Sequence, residues 1–269
     1  MRSRLVAPLC LASTMLHASV PSTGAAPAAA RQPSPACPRL IVPAYFDPGP
    51  EWERVIAAAS QVGYIILNPN SGPSVEPDAA FQELVGRAQQ AGVKVLGYVF
   101  TDLGNVDPDV AKAEIRAYQE WYGVDGIHLD GVHNEARFIP YYRDLAEEIR
   151  ARGQSLAGGG QTSPGIVMLN PGYVPDEGYM EIGDIIETYE WYYDRYPGQE
   201  FPDWVYRYPA DRFAHVIRNV PNSDQALRIS LALAQDRNAG YIYVTDQTDP
   251  LDYKQLPSFW DAKVSAVCG

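Results

Sequence analysis

Polar side chains stand where apolar runs stop. "VDGIHLDGVHNE" (Val124–Glu135) alternates apolar residues and then closes on Asp130. "GIVMLNPG" carries Asn170 near its end, and "DIIETYEW" brings Glu187, Tyr189 and Glu190. Tyr45 and Asp47, Asn68 and Asn70, Tyr98 and Asp102, Arg218 and Asn219, and Tyr243 with Thr245 and Asp246 mark the ends of other such runs. A charge at the end of an apolar run is costly to desolvate unless it is paired or used. The set is acidic and rich in tyrosine, and its convergent acid–base groups are carboxylates. Two carboxyl groups can hydrolyse a glycosidic bond: one protonates the leaving oxygen while the other attacks or activates water. Aromatic faces can stack on sugar rings, and asparagines can hydrogen-bond sugar hydroxyls. Acids at such places also serve as helix caps and in structural ion pairs, so each residue taken singly keeps that alternative.

Other chemistries find little support. The four histidines (His17, His128, His133, His215) are scattered, and no Gly-x-Ser-x-Gly elbow is present. No metal site and no cofactor are expected. Gly158-Gly159-Gly160 lacks the Lys and Ser/Thr of a phosphate loop and reads as a flexible turn. His128 sits between Ile127 and Leu129 and is assigned a structural role in the barrel or its wall, and Asp125 before Gly126 is read as a turn residue. "YEWYYDRYPGQEFPDWVYRYP" (Tyr189–Pro209) is too irregular for a helix. It is expected to form a long loop and, by its aromatic content, a wall for a sugar.

The elements that must position these residues follow from periodicity. Eight short runs rich in Val, Ile and Tyr begin near residues 40, 63, 93, 124, 165, 184, 213 and 240, each followed by Pro, Gly, Asn or Asp. Most are separated by helical patterns such as "AAFQELVGRAQQAG" and "VDPDVAKAEIRAYQEWYG", the latter opening on Asp-Pro and closing on Gly123. The fifth and sixth runs are joined by "YVPDEGYMEIG", a short helix at best. Repeated strand–helix units mean parallel strands with helical crossovers. A mean spacing of about 29 residues is that of a (β/α)8 TIM barrel, a single α/β domain. The alternative is a doubly wound open sheet, which usually carries a Gly-rich phosphate loop after its first strand; here "FDPGPEWE" follows instead.

Residues 1–30 read as a secretory signal peptide and flexible leader: Arg2 and Arg4 precede the apolar "LVAPLCLASTML" and a small-residue stretch. The barrel is assigned to residues 31–269 and to the extracellular space. Cys37 and Cys268 then bracket the barrel in an oxidising compartment and are expected to form a disulfide. Removing the leader leaves a balance of −14, which argues against nucleic acid and anionic membrane as partners and permits a cationic ligand. No apolar run reaches the roughly 18 residues of a membrane span. A monomer is expected.

"LIVPAYFDPG…W", "YIILNPNSGPS", "VLGYVFTDLG", "YGVDGIHLD" and "MLNPG", in that order, resemble the spherulin 4-like family of secreted barrels over about Leu40 to Phe259. That family is related to microbial endo-galactosaminidases, which cut α-1,4-linked galactosamine or N-acetylgalactosamine polymers. The resemblance implies a metal-independent, endo-acting glycoside hydrolase on an amino-sugar polysaccharide, with its acid pair at the ends of the fourth and sixth strands. Carried onto this chain, the pair is Asp130 and Glu187. The strand-end residues Tyr45, Asn68, Tyr98, Asn170, Tyr189, Tyr243 and Asp246 are read as the substrate contacts around it. Fungal enzymes of this type carry Asp-Glu where this chain has Asp130-Gly131. One carboxylate is therefore missing, and the acidic mouth is expected to favour free-amine over acetylated sugar. A glycan-binding or surface protein on the same barrel is the alternative.

Overall fold

The computed structural model describes residues 38–153, 165–249 and 252–267. The leader (residues 1–30), Cys37, Cys268 and Gly158–Gly160 lie outside the described residues. Eight strands form a closed, all-parallel barrel in chain order: β1 (Arg39–Ala44), β2 (Val62–Leu67), β3 (Lys94–Phe100), β4 (Gly126–Asp130), β5 (Ile166–Asn170), β6 (Ile185–Tyr192), β7 (Phe213–Arg218) and β8 (Tyr241–Val244). The helices are α1 (Pro50–Ala57), α2 (Ala79–Gln90), α3 (Pro108–Tyr122), α4 (Ile139–Gly153), α5 (Asp224–Asp236) and α6 (Trp260–Ala266). This is the (β/α)8 barrel that the spacing predicts. Short 3-10 turns (Glu177–Glu181 between β5 and β6; Tyr196–Gly198, Asp203–Arg207 and Ala210–Arg212 between β6 and β7) stand where full helices would complete the repeat. None of the described helices is long and apolar enough to cross a membrane.

The strands form where the chain can bury both of their faces, and β2, β3 and β4 are buried through nearly all their residues. Helix starts follow local chemistry. The Asp78 side chain accepts from the N–H groups of Ala80 and Phe81, Asp107 from Asp109, and Ser223 from Ala226. Pro108 fits the first turn of α3, and Gly123 stops it in the left-handed region at φ 60°.

Register places the polar strand ends on one rim. Tyr98 lies opposite His128, Phe100 opposite Asp130, and Asp130 opposite Asn170. Between β6 and β7 the register shifts between Glu187 and Tyr189, a β-bulge at Thr188.

The segment Tyr189–Pro209 departs from expectation. Its first four residues complete β6. Of its aromatics, Tyr196 is fully buried, its hydroxyl against His215 Nδ1 at 2.7 Å, while Phe201 stacks on His215 and Trp204 and Tyr208 pack on Phe213. The Arg237 guanidinium lies over the Tyr196 and Phe201 rings and donates to the carbonyls of Tyr196 and Pro197. Burial, with Arg237 adding to it, pushes His215 down to about 3, so its imidazole is neutral. Four of these aromatics thus form a packed layer outside β6 and β7, not a wall open to a sugar. The reason is the missing helix: the outer face of the barrel has to be covered by the loop itself.

Candidate active site

The C-terminal mouth is built around Asn170. The Nδ2 amide at the end of β5 donates to Asp130 Oδ1 at 2.8 Å and to Glu190 Oε2 at 2.5 Å. The two oxygens sharing that amide lie within about 5 Å of each other. Asn170 is itself fixed, because its Oδ1 accepts the Gly172 N–H at 2.8 Å. Each carboxylate has a second donor on its other oxygen: Tyr98 OH donates to Asp130 Oδ2 at 2.7 Å, and Tyr253 OH donates to Glu190 Oε1 at 2.5 Å. Charge-assisted bonds of this kind are roughly twice as strong as neutral ones and hold both carboxylates in place. Asp130 and Glu190 are half-buried and open to the mouth.

Tyrosines frame the pair. Tyr45 packs edge-on against Tyr98 and against Tyr253, both at 5.3 Å between centroids. Burial first, then Asp130, Tyr98, Glu190 and Glu187, pushes the Tyr45 phenol well above its ordinary value. Tyr98 and Tyr253 are raised by burial and by the carboxylates they serve. All three stay protonated and act as donors or apolar walls. Beside Tyr45, a cavity of about 370 Å³ is lined also by Asp47, Asn68, Asn70, Ser71 and Lys254. There Asn68 Oδ1 accepts the Gly72 N–H at 2.9 Å and shapes the loop.

Glu187 lies beneath this layer. It is 1% exposed, and its Oε1 meets His128 Nε2 at 3.0 Å. Burial pushes its carboxyl up to about 7; His128 opposes that shift, and Glu190 and Asp130 add to it. His128 is raised too, because Glu187 outweighs the burial that would lower it. The two therefore share protons as one buried unit. Tyr98 stacks on the His128 ring at 6.1 Å.

The structure redistributes the expected residues. Asp130, Asn170, Tyr98 and Tyr45 converge at the mouth, with Asn68 at its β2 side. Glu187 does not reach the mouth; Glu190 stands beside Asp130 in its place. Tyr189 is corrected to a packing residue: it is 1% exposed, its ring lies 4.7 Å from that of Tyr196, and its hydroxyl donates to the Tyr192 carbonyl. Tyr243 is fully buried with its ring 3.6 Å from Lys263 Nζ, which removes it from any substrate. Asp246 is spent on the backbone N–H and hydroxyl of Ser258 and holds the approach to α6. One cause explains the β6 errors. Simple alternation puts Glu187 and Tyr189 on one face, but the bulge at Thr188 resets the phase, sending Tyr189 outward and Glu190 inward. Glu190 was visible as a strand-end acid, whereas Tyr253 lies in the connection after β8 and carried no signal. Among the described residues, no group of three or more His, Cys, Asp and Glu side chains could hold a metal ion.

The fold and site define a closed (β/α)8 barrel with two hydrogen-bonded carboxylates at its C-terminal mouth. Among such barrels the chain belongs to Spherulin4, the spherulation-specific family 4, which it matches over residues 39–267. Spherulin-4 of Physarum polycephalum is 30% identical over 245 residues, covering 85% of this chain and 70% of that protein. Among solved structures, Aspergillus clavatus Sph3 in complex with GalNAc superposes with a TM-score of 0.71 at 23% identity, over 85% of this chain and 96% of that one. A GH18 chitinase from Pseudoalteromonas aurantia superposes with a TM-score of 0.50 at 14% identity, over 85% and 100% of the two chains.

Proposed function

We propose that this chain is a secreted endo-acting glycoside hydrolase of galactosamine-containing polysaccharide, with Asp130 and Glu190 as its carboxylate pair. The observation that carries the reading is the Asn170 amide shared between two carboxylates at the barrel mouth. A separation within about 5 Å fits retention, in which one carboxylate attacks the sugar directly. Both carboxylates are held through both oxygens, and Asp130, on the shorter and less mobile side chain, is assigned as the nucleophile. Glu190 takes a proton from solvent on an oxygen freed from its donor as substrate enters, and gives it to the leaving oxygen as Asp130 bonds to the anomeric carbon and the glycosidic bond breaks. It then takes a proton from the water that releases the sugar from Asp130. Glu187 and His128 stay below and set the charge that the pair feels. The GalNAc bound by the Aspergillus protein supports an amino sugar as substrate, and the acidic mouth supports a protonated amine on it.

The test is release of reducing ends from free-amine and fully acetylated galactosamine polymers at low and high salt. The free-amine polymer should be cut faster at low salt, with the preference weakened by salt. Products first observed by NMR should keep the anomeric configuration of the substrate. Inverted products would exclude the nucleophile role of Asp130, and no release from any amino-sugar polymer would exclude the hydrolase. Burial of Glu187 against His128, together with Gly131 in place of a carboxylate, favours a second reading: a glycan-binding protein that holds the same polymer without turnover.

A further inference from the structure

Phe100 ends β3 directly opposite Asp130. It follows Tyr98 by two residues, so both side chains share one face of the strand, the face whose Tyr98 hydroxyl sits on Asp130. Yet Phe100 is 45% exposed, while the other rings around the pair are largely covered. Gly131 explains how it can stand there. A Cβ at position 131 would lie 2.6 Å from Phe100 Cε2 and 3.2 Å from Cδ2, so the phenyl ring fills the space that a side chain would claim. Gly131 also adopts φ 60°, which a residue with a Cβ takes only under strain. Its carbonyl is pinned by the Leu103 N–H at 2.7 Å and the Thr101 hydroxyl at 2.9 Å. The pinning loop runs left-handed at Asp102 (φ 45°) and Leu103 (φ 56°), strained for non-glycine residues, and leaves Leu103 51% exposed.

We propose that Phe100 is the apolar platform of this site and sets its preference for galacto-configured sugar. Resting on the hydrolase reading above, its ring stacks on the C–H face of the hexose held at Asp130. In a galacto ring the axial 4-hydroxyl leaves the opposite face around C3, C4 and C5 open for such contact. Aromatic stacking of this size corresponds to about a five- to tenfold change in affinity. The test is calorimetric titration of the wild type, Phe100→Ala and Phe100→Tyr with an α-1,4-galactosamine tetrasaccharide and with a glucosamine tetrasaccharide, alongside turnover of the galactosamine polymer. Phe100→Ala should weaken binding of the galacto compound about five- to tenfold and change the gluco compound less than twofold. Phe100→Tyr should stay within threefold of wild type. Thermal unfolding should differ little, since the ring is half-exposed. Wild type that binds and does not cut overturns the hydrolase reading and leaves the platform standing if Phe100→Ala loses affinity. Wild type that cuts while Phe100→Ala binds and turns over unchanged overturns the platform alone. Wild type that binds neither tetrasaccharide overturns both.

Discussion

Replacing Glu187 with Gln tests the buried Glu187–His128 unit without touching the mouth. Glu187 titrates at about 7 in the folded chain against an ordinary value of 4.5. The folded state therefore holds a proton that the unfolded chain has already released between those two values. Stability falls as pH rises through that window, and a shift of that size amounts to about 3 kcal/mol at 1.36 kcal/mol per unit. His128 acts in the same direction: its pKa is raised, so its contribution is full below the unfolded value and is lost as pH rises through the folded one. The two shifts belong to one coupled pair and are not summed. Exposed acids that arginines hold below their ordinary range, Glu53 beside Arg87 and Glu177 beside Arg207, pull the other way at lower pH. The wild type must therefore be read against the variant. Urea unfolding at half-unit steps from pH 4.5 to 7.5 should show wild type losing about 3 kcal/mol relative to Glu187→Gln across the window. In the variant, burial of His128 acts without its main counterweight, so the decline should vanish or reverse. Parallel stability curves for the two proteins would refute the buried-pair argument.

Asp130→Asn and Glu190→Gln should each cut turnover about 10²- to 10⁴-fold with the fold intact by circular dichroism, whereas a catalytic Glu187 would make Glu187→Gln equally severe. An added good leaving group should restore the first step in Glu190→Gln and leave Asp130→Asn inactive, as measured by burst kinetics on an aryl glycoside. Lys263 is fully buried against the Tyr243 and Trp260 rings and donates to the Val244 carbonyl; burial lowers its pKa well below the ordinary value. Its folded form thus binds protons less readily than the unfolded chain, and stability rises with pH up to about 10. Lys263→Met should abolish that rise and stabilise the chain at pH 6 in thermal or urea unfolding, and an unchanged pH dependence would exclude the buried ammonium as its source. Peptide mapping without reductant should recover one Cys37–Cys268 linked pair worth about 5.5 kcal/mol in the chain-entropy picture; two alkylatable thiols would exclude it.

The barrel, and the neighbouring places of Asp130 and Asn170 on its rim, were legible in the residue order. Runs of β-branched and aromatic residues at a regular spacing can be buried only as parallel strands, and in a closed barrel chain order is also spatial order. Asp130 and Asn170 could therefore be placed side by side from their positions at the ends of consecutive strands. The places of Glu190 and Tyr253 depend on packing between distant segments. Alternation has period two, and a single bulged residue inverts it; nothing in "IIETYEW" marks Thr188 as that residue. The bulge is visible only in the pairing of β6 with β7, and it exchanges Tyr189 for Glu190 at the mouth. Tyr253 reaches Glu190 from the connection after β8, a contact between positions 63 residues apart that no local pattern encodes. Phe100 closes an apolar run and carries no mark in the sequence that sets it apart. Its exposure beside Asp130 depends on the left-handed turn at Gly131 and on the missing side chain there, a matter of packing in three dimensions.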